Sequence, residues 1–212
     1  KLRCAPPNVD PGGGGINVAR AIRILGGDVV ALVALGGATG QRLADALGRE
    51  GVAHVGIPAP GETRQSLAVT DLAKDKQFRF VLPGEPWGRG DIDRVLAQIR
   101  GAVPPDALIV LSGSQPPGVP DRFAAEVAAV LPASARLVLD TSGAALAAVV
   151  RDPVPGLSIL RMDDAEAEGL AGRRLATREA SADYARELVE RGVASCVIIA
   201  RGAEGSVLAD RV

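Results

Sequence analysis

The chain has 212 residues, 47% of them hydrophobic, with 24 Lys and Arg against 25 Asp and Glu. That length suits one domain with a sizeable core, and the near-neutral charge gives no electrostatic reason to expect nucleic acid or an anionic membrane as partner. No apolar run approaches a membrane span, the opening residues do not read as a secretory signal, and Cys4 and Cys196 lie too far apart for metal-ligand spacing, so a reduced, cytoplasmic setting is expected.

The first informative segment is Pro11-Gly12-Gly13-Gly14-Gly15-Ile16-Asn17, which opens a helix. Glycines without Cβ let a ligand lie against bare backbone, and the free N–H groups of the helix start favour a polar or anionic guest. The same run also reads simply as a flexible helix entry. It is not a P-loop, because no Lys-Ser/Thr ending follows, nor a dinucleotide fingerprint, because the Pro-rich residues 5–11 before it are not a strand. Val18, Ala21, Ile22 and Leu25 follow helical spacing and predict the buried face of this helix, which Gly26-Gly27 stops.

Residues 29–35 form a continuous apolar run, as in a strand buried on both faces. The turn Gly36-Gly37-Ala38-Thr39-Gly40 leads into a helix with Leu43, Ala46 and Leu47 on one face, and 52–57 reads as a second strand. His54, the single histidine, falls in this apolar stretch and reads as structural, which argues against a histidine-based triad. Residues 65–72 and 77–82 then predict a hairpin with a polar tip at 73–76, a lid or a dimer contact outside the main sheet.

From residue 92 onward helix and strand alternate: helix 92–99, strand 107–111, helix 123–131, strand 137–139, helix 144–150, strand 157–160 and a helix from about 163. An amphipathic helix at 179–191, a strand at 195–200 and a returning strand at 205–209 complete the chain. The alternation predicts an α/β protein with a mostly parallel, covered sheet. In such sheets ligands lie beyond the carboxyl ends of strands. Four strand ends carry turn-rich segments: Gly36–Gly40 (GGATG), Ser112-Gly113-Ser114 with Pro116-Pro117-Gly118, Asp140-Thr141-Ser142-Gly143, and Ala200-Arg201-Gly202-Ala203-Glu204-Gly205. Each taken singly also suits an ordinary turn. Asp140 reads as a cap for the helix after it.

Together these segments resemble the PfkB family of sugar kinases, which have the ribokinase-like fold. Gly12 to Asn17 matches the family's first signature. Lys1-Leu2-Arg3-Cys4, Gly36 to Gly40, Thr63-Arg64-Gln65, Arg79-Phe80-Val81 and the Ser112 to Gly118 segment are similar to members that act on fructose 6-phosphate. The resemblance implies an α/β fold, a mostly parallel sheet with helices on both faces plus a small β lid hairpin. It also implies one kinase-type domain over 1–212, incomplete, with lid strands at about 63–83.

The implied reaction is phosphoryl transfer from ATP, with Mg²⁺, to fructose 6-phosphate, giving fructose 1,6-bisphosphate. Fructose 1-phosphate and tagatose 6-phosphate kinases, or a non-catalytic sugar or nucleotide binder, are the alternatives. Gly12, Gly13, Asn17 and Ser114 would hold the sugar, and Arg64 and Lys1 its phosphate. Arg161, Asp163, Ala200, Gly202 and Gly205 would meet the nucleotide, and Glu166 the metal. Arg161-Met162-Asp163 stands where the family has Lys-Pro-Asn, and Ala200 where it has a hydroxyl residue. The family's first-strand Asp would precede Lys1, and its Gly-Ala-Gly-Asp segment, with the catalytic base, would follow Val212. No catalytic residue is therefore assigned, and the chain alone is expected to be inactive. A homodimer formed through the lid is expected.

Overall fold

The computed structural model describes residues 4–211. By compactness these divide into two units, one up to Glu85 and one from Pro86 onward.

The first unit begins with α1 (Gly14–Ile24), followed by β1 (Ala31–Leu35), α2 (Gly37–Arg49) and β2 (His54–Pro58). The strands β1 and β2 pair in parallel, with Ala31 opposite His54 and Leu35 opposite Pro58. A small core of Ile16, Ala19, Ala31, Val33, Leu47 and Val52 binds α1 and α2 to this pair. The buried face of α1 therefore runs through Ile16 and Ala19, with Val18 and Ile22 half-buried. Ala21 is exposed, and Leu25, expected in the core, is 86% exposed. The helix ends at Ile24, and Leu25 is its C-cap, outside the helical stripe. The imidazole of His54 lies 3.1 Å from the Val52 carbonyl, a local backbone contact that suits a structural histidine.

The hairpin follows as β3 (Ser66–Asp71) and β4 (Lys76–Val81), antiparallel and separate from β1 and β2. Leu67 faces Phe80 and Val69 faces Phe78 across the ladder. Side chains alternate along a strand, so these four share one face. Leu67, Phe78 and Phe80 are each about half exposed there.

The second unit contains α3 (Arg89–Ala102), β5 (Leu108–Ser112), α4 (Phe123–Val130), β6 (Arg136–Asp140) and α5 (Gly143–Arg151). It continues with β7 (Leu157–Asp163), α6 (Asp164–Ala171), α7 (Arg178–Glu190), β8 (Cys196–Ala200) and β9 (Ser206–Asp210). Its sheet runs in the order β5-β6-β7-β8-β9, parallel through β8, with β9 returning antiparallel. Leu139, Leu160, Met162, Val197 and Ile199 of the central strands are buried against Leu146, Tyr184 and Leu188 of the helices. This is the covered, continuous hydrophobic strand pattern of a parallel sheet. Of the two free cysteines, Cys4 is exposed, while Cys196 is partly buried in β8 and its thiol is pushed up by that burial.

The parallel strands β5 to β8 present their carboxyl ends on one edge. Ser112 lies in register with Asp140 and Asp140 with Arg161, and Asp163 lies beside Ala200.

Candidate active site

In the first unit the glycine run is bare. Gly12 and Gly13 are exposed, and a Cβ built on either would meet no atom closer than 4.0 Å. Gly13 caps α1 with φ 121° and ψ 144°, a backbone region that is essentially glycine's own. Its carbonyl accepts from the Asn17 N–H at 2.8 Å, and the Asn17 side chain is exposed in the first turn. A small polar molecule can approach main chain here without obstruction. Lys1 lies outside the described residues.

The Gly36–Gly40 turn is filled from within. The Glu62 carboxylate accepts from the N–H groups of Ala38 and Thr39 at 3.1 and 2.8 Å and from the Thr39 hydroxyl at 2.5 Å. The Thr39 hydroxyl contact, first among these, holds the Glu62 carboxyl below the usual carboxylate range. Thr63 closes the other end: its Oγ1 accepts from Gly36 N–H at 2.9 Å, and its own N–H donates to the Gly36 carbonyl at 2.9 Å. A Cβ on Gly36 or Gly37 would overlap the Gly61 carbonyl or the Glu62 carboxylate. These glycines admit a segment of the protein itself. Arg64 follows this clip directly and is exposed at the foot of β3.

In the second unit, Ser114 is exposed in the loop after β5, beside a depression of about 250 Å³ that Ser142 also lines. Asp140 does not cap α5. The helix N-cap is Ser142, and it makes no side-chain cap bond. Asp140 instead accepts from the Ser112 hydroxyl at 3.2 Å and from Arg161 Nη1 at 3.3 Å. The register of three neighbouring strands sets these groups in a row, so cross-strand partners displace the local cap.

Asp163 and Glu166 form a reciprocal capping box at the start of α6. Asp163 Oδ1 accepts from Glu166 N–H at 2.8 Å, and Glu166 Oε2 accepts from Asp163 N–H at 2.9 Å. Both carboxylates are thereby fixed at the carboxyl end of β7. Ala200 ends β8 beside Asp163. The turn after it has left-handed glycines, φ 54° at Gly202 and 85° at Gly205, and a Cβ at either would meet nothing within 4 Å. The sheet edge thus gathers Arg161, Asp163, Glu166, Ala200 and this turn. Gly12, Gly13, Asn17 and Arg64 belong to the other unit.

Residues 1–212 match the sequence model of the pfkB family of carbohydrate kinases. The chain belongs to that family. A relative named ATP-dependent 6-phosphofructokinase isozyme 2, from Mycobacterium tuberculosis, is 40% identical over 212 residues, covering 100% of this chain and 61% of its own length. A 1-phosphofructokinase of Xanthomonas campestris is 35% identical over 210 residues, covering 95% of this chain and 64% of its own. Phosphofructokinase-2 from Escherichia coli, crystallised with substrates and products, superimposes with a TM-score of 0.91 at 35% identity, covering 100% of this chain and 68% of that one. The chain therefore spans about three fifths of the length of the first of these relatives. The α/β, mostly parallel, ribokinase-like architecture expected of a pfkB-family chain is the one observed.

Two residues with demanding environments, Glu62 and Arg201, received no role from the sequence. Arg201 lies in the turn after β8 and Glu62 just before Thr63-Arg64-Gln65, and neither has a local pattern that separates a fastened charge from a solvated one. Partners that fasten them, Thr39 for Glu62 and Leu175, Ala176 and Ser181 for Arg201, are 20 or more positions away.

Proposed function

We propose that the protein carrying this chain transfers the γ-phosphoryl group of ATP to the 1-hydroxyl of fructose 6-phosphate. The hydroxyl proton is lost as the new P–O bond forms, and ADP leaves with the electrons of the broken bond. The observation that carries this reading is the 40% identity, over the whole chain, to a relative named ATP-dependent 6-phosphofructokinase. The bare backbone at Gly12 and Gly13 supports it, since sugar hydroxyls can reach main chain there while Asn17 both donates and accepts.

Arg64 carries the planar fork that suits the sugar's phosphate oxygens, and Lys1 would add a point charge. Ser114 would orient the sugar from the loop after β5. Arg161 would neutralise phosphate charge, and the turn through Ala200, Gly202 and Gly205 would seat the nucleotide. Among the described residues no three His, Cys, Asp or Glu side chains gather into a metal cage. Mg²⁺ seldom needs one, being held by one or two carboxylates, water and nucleotide phosphates, and the fixed Glu166 and Asp163 provide such carboxylates. When bound, Mg²⁺ supplies charge neutralisation at the transferring phosphoryl group.

Chain 1–212 is read as one incomplete kinase-type domain whose lid comprises residues 63–83. The apolar hairpin face of Leu67, Val69, Phe78 and Phe80 is read as covered by the hairpin of a second copy, giving a homodimer. No helix of the described residues is long and apolar enough to cross a membrane, and the working location is taken as the cytoplasm.

The test is a coupled assay of the purified full-length gene product with Mg-ATP against fructose 6-phosphate, fructose 1-phosphate and tagatose 6-phosphate. The expected outcome is the highest kcat/KM for fructose 6-phosphate. Preference for fructose 1-phosphate would favour the second reading, which the Xanthomonas relative supports. Turnover of none of the three overturns the kinase reading and leaves a non-catalytic binder.

A further inference from the structure

We infer that Arg201 is a positioning residue that holds the Gly202–Gly205 turn rigid for the nucleotide. The inference rests on the reading of that turn as a nucleotide contact.

Arg201 is 8% exposed, an unusual place for a guanidinium, which is seldom buried unless all its donors are met. Here all five N–H groups have acceptors. Nε donates to Glu204 Oε2 at 3.0 Å, and Nη2 donates to the same oxygen at 2.8 Å and to the Ala176 carbonyl at 3.3 Å. Nη1 donates to the Leu175 carbonyl at 2.8 Å and to Ser181 Oγ at 2.5 Å. Ser181 is buried in the first turns of α7, a helix capped by Thr177, whose side chain accepts from Ala180 N–H. One side chain thus ties the end of β8 to the α6–α7 connection and to a capped helix.

The main chain of Arg201 closes the same turn. Its N–H donates to the Gly205 carbonyl at 2.7 Å, and its carbonyl accepts from Glu204 N–H at 3.0 Å. The turn is therefore fastened through Arg201 on the protein side. Gly202 and Gly205 are exposed, with open space where a Cβ would stand. A loop that is bare toward solvent and immobilised from behind has the form of a preorganised ligand surface. Ala200, at the end of β8, brings no side-chain hydrogen bond to the turn. In this chain the guanidinium knot supplies the rigidity.

A residue that only stabilised the fold would lower the melting temperature without distinguishing the substrates. A positioning residue for this turn changes the nucleotide term selectively. The experiment measures kcat, KM for Mg-ATP and KM for fructose 6-phosphate in the full-length gene product and in three variants. Arg201→Met removes all five donors and is expected to raise KM for ATP at least tenfold, with KM for the sugar within twofold. Arg201→Lys keeps the charge and three donors and should fall between. Glu204→Gln touches a side chain that is 60% exposed, so its folding is secure, and should raise KM for ATP about threefold. It should also speed hydrogen exchange at the Gly202–Gly205 amides. An unchanged KM for ATP in Glu204→Gln together with unchanged exchange overturns the proposal, even where Arg201→Met does not fold. Equal rises in both KM values overturn it too. Titration with Mg-ADP separates the two levels. A wild-type protein that binds no nucleotide overturns both the nucleotide reading and this inference. Equal binding by wild type and variants overturns the inference alone.

Discussion

Glu62 holds the start of the α2 helix through Thr39, accepting from both its N–H and its hydroxyl, at 2.8 and 2.5 Å. The helix end that would attract an anion from solvent is occupied by the protein's own carboxylate. The clip also anchors the chain immediately before Arg64 and the hairpin.

Glu62→Ala is expected to lower the melting temperature, and Glu62→Gln to lower it less, because an amide oxygen still accepts. The folded-state pKa of Glu62 lies below its ordinary value, so its contribution is present above the usual carboxylate range and is lost as pH falls through the lowered value. The gap in melting temperature between wild type and Glu62→Gln should therefore be widest near neutral pH and should close on acidification. A constant gap across that titration would contradict the assignment.

The glycines at the head of α1 divide into two kinds. Gly13 needs φ 121°, and Gly13→Ala should cost of order 1–3 kcal/mol in chemical denaturation. Gly12 has no such positive φ and open space above it, so Gly12→Ala should fold with little loss of stability. If the sugar lies there, Gly12→Ala raises its KM roughly tenfold, a loss of about 1.4 kcal/mol, and leaves KM for ATP unchanged. Steady-state kinetics on both substrates, read beside the denaturation curves, checks the division.

Arg161 is paired to Asp140 at 3.3 Å and remains 40% exposed in its side chain, so it can exchange that partner for a phosphate. Arg161→Ala is expected to raise KM for ATP about tenfold, in line with the loss of a charge-assisted hydrogen bond. Asp140→Asn should move the same parameter less, since its amide oxygen can still accept from the guanidinium. An ATP KM indifferent to both changes would remove Arg161 from the nucleotide site.

Phe78 and Phe80 lie on one hairpin face with Leu67 and Val69. On the proposed homodimer, the unaltered protein is expected to sediment as a dimer and the double variant Phe78→Asp with Phe80→Asp as a monomer. Identical sedimentation of the two would rule out this face as the interface.

Most of the architecture was legible because burial writes itself into composition. The strands β6 and β8 are apolar runs whose alternate residues are buried, and α7 shows the stripe of Tyr184, Leu188 and Val189 that it buries. The glycine run was legible for a different reason, since few structures require several residues without side chains before a helix. Contacts between distant segments were not legible. Asp140 looked like a cap because capping is local, whereas its partners Ser112 and Arg161 depend on the register of adjacent strands. Leu25 looked like core because helical spacing runs on through it, but α1 ends at Ile24 and Leu25 stands in solvent as its C-cap. Arg201 takes no role from the sequence because nothing within its own turn discloses Leu175, Ala176 or Ser181.

The unequal surroundings of the two cysteines give this protein a ready handle. A maleimide dye added at neutral pH should couple at Cys4, which stands free in solvent eight residues before Gly12, and largely spare Cys196 inside its strand. A fluorophore can thus be installed eight residues ahead of Gly12 without engineering, and a change in its emission on adding sugar phosphate would report binding near that segment.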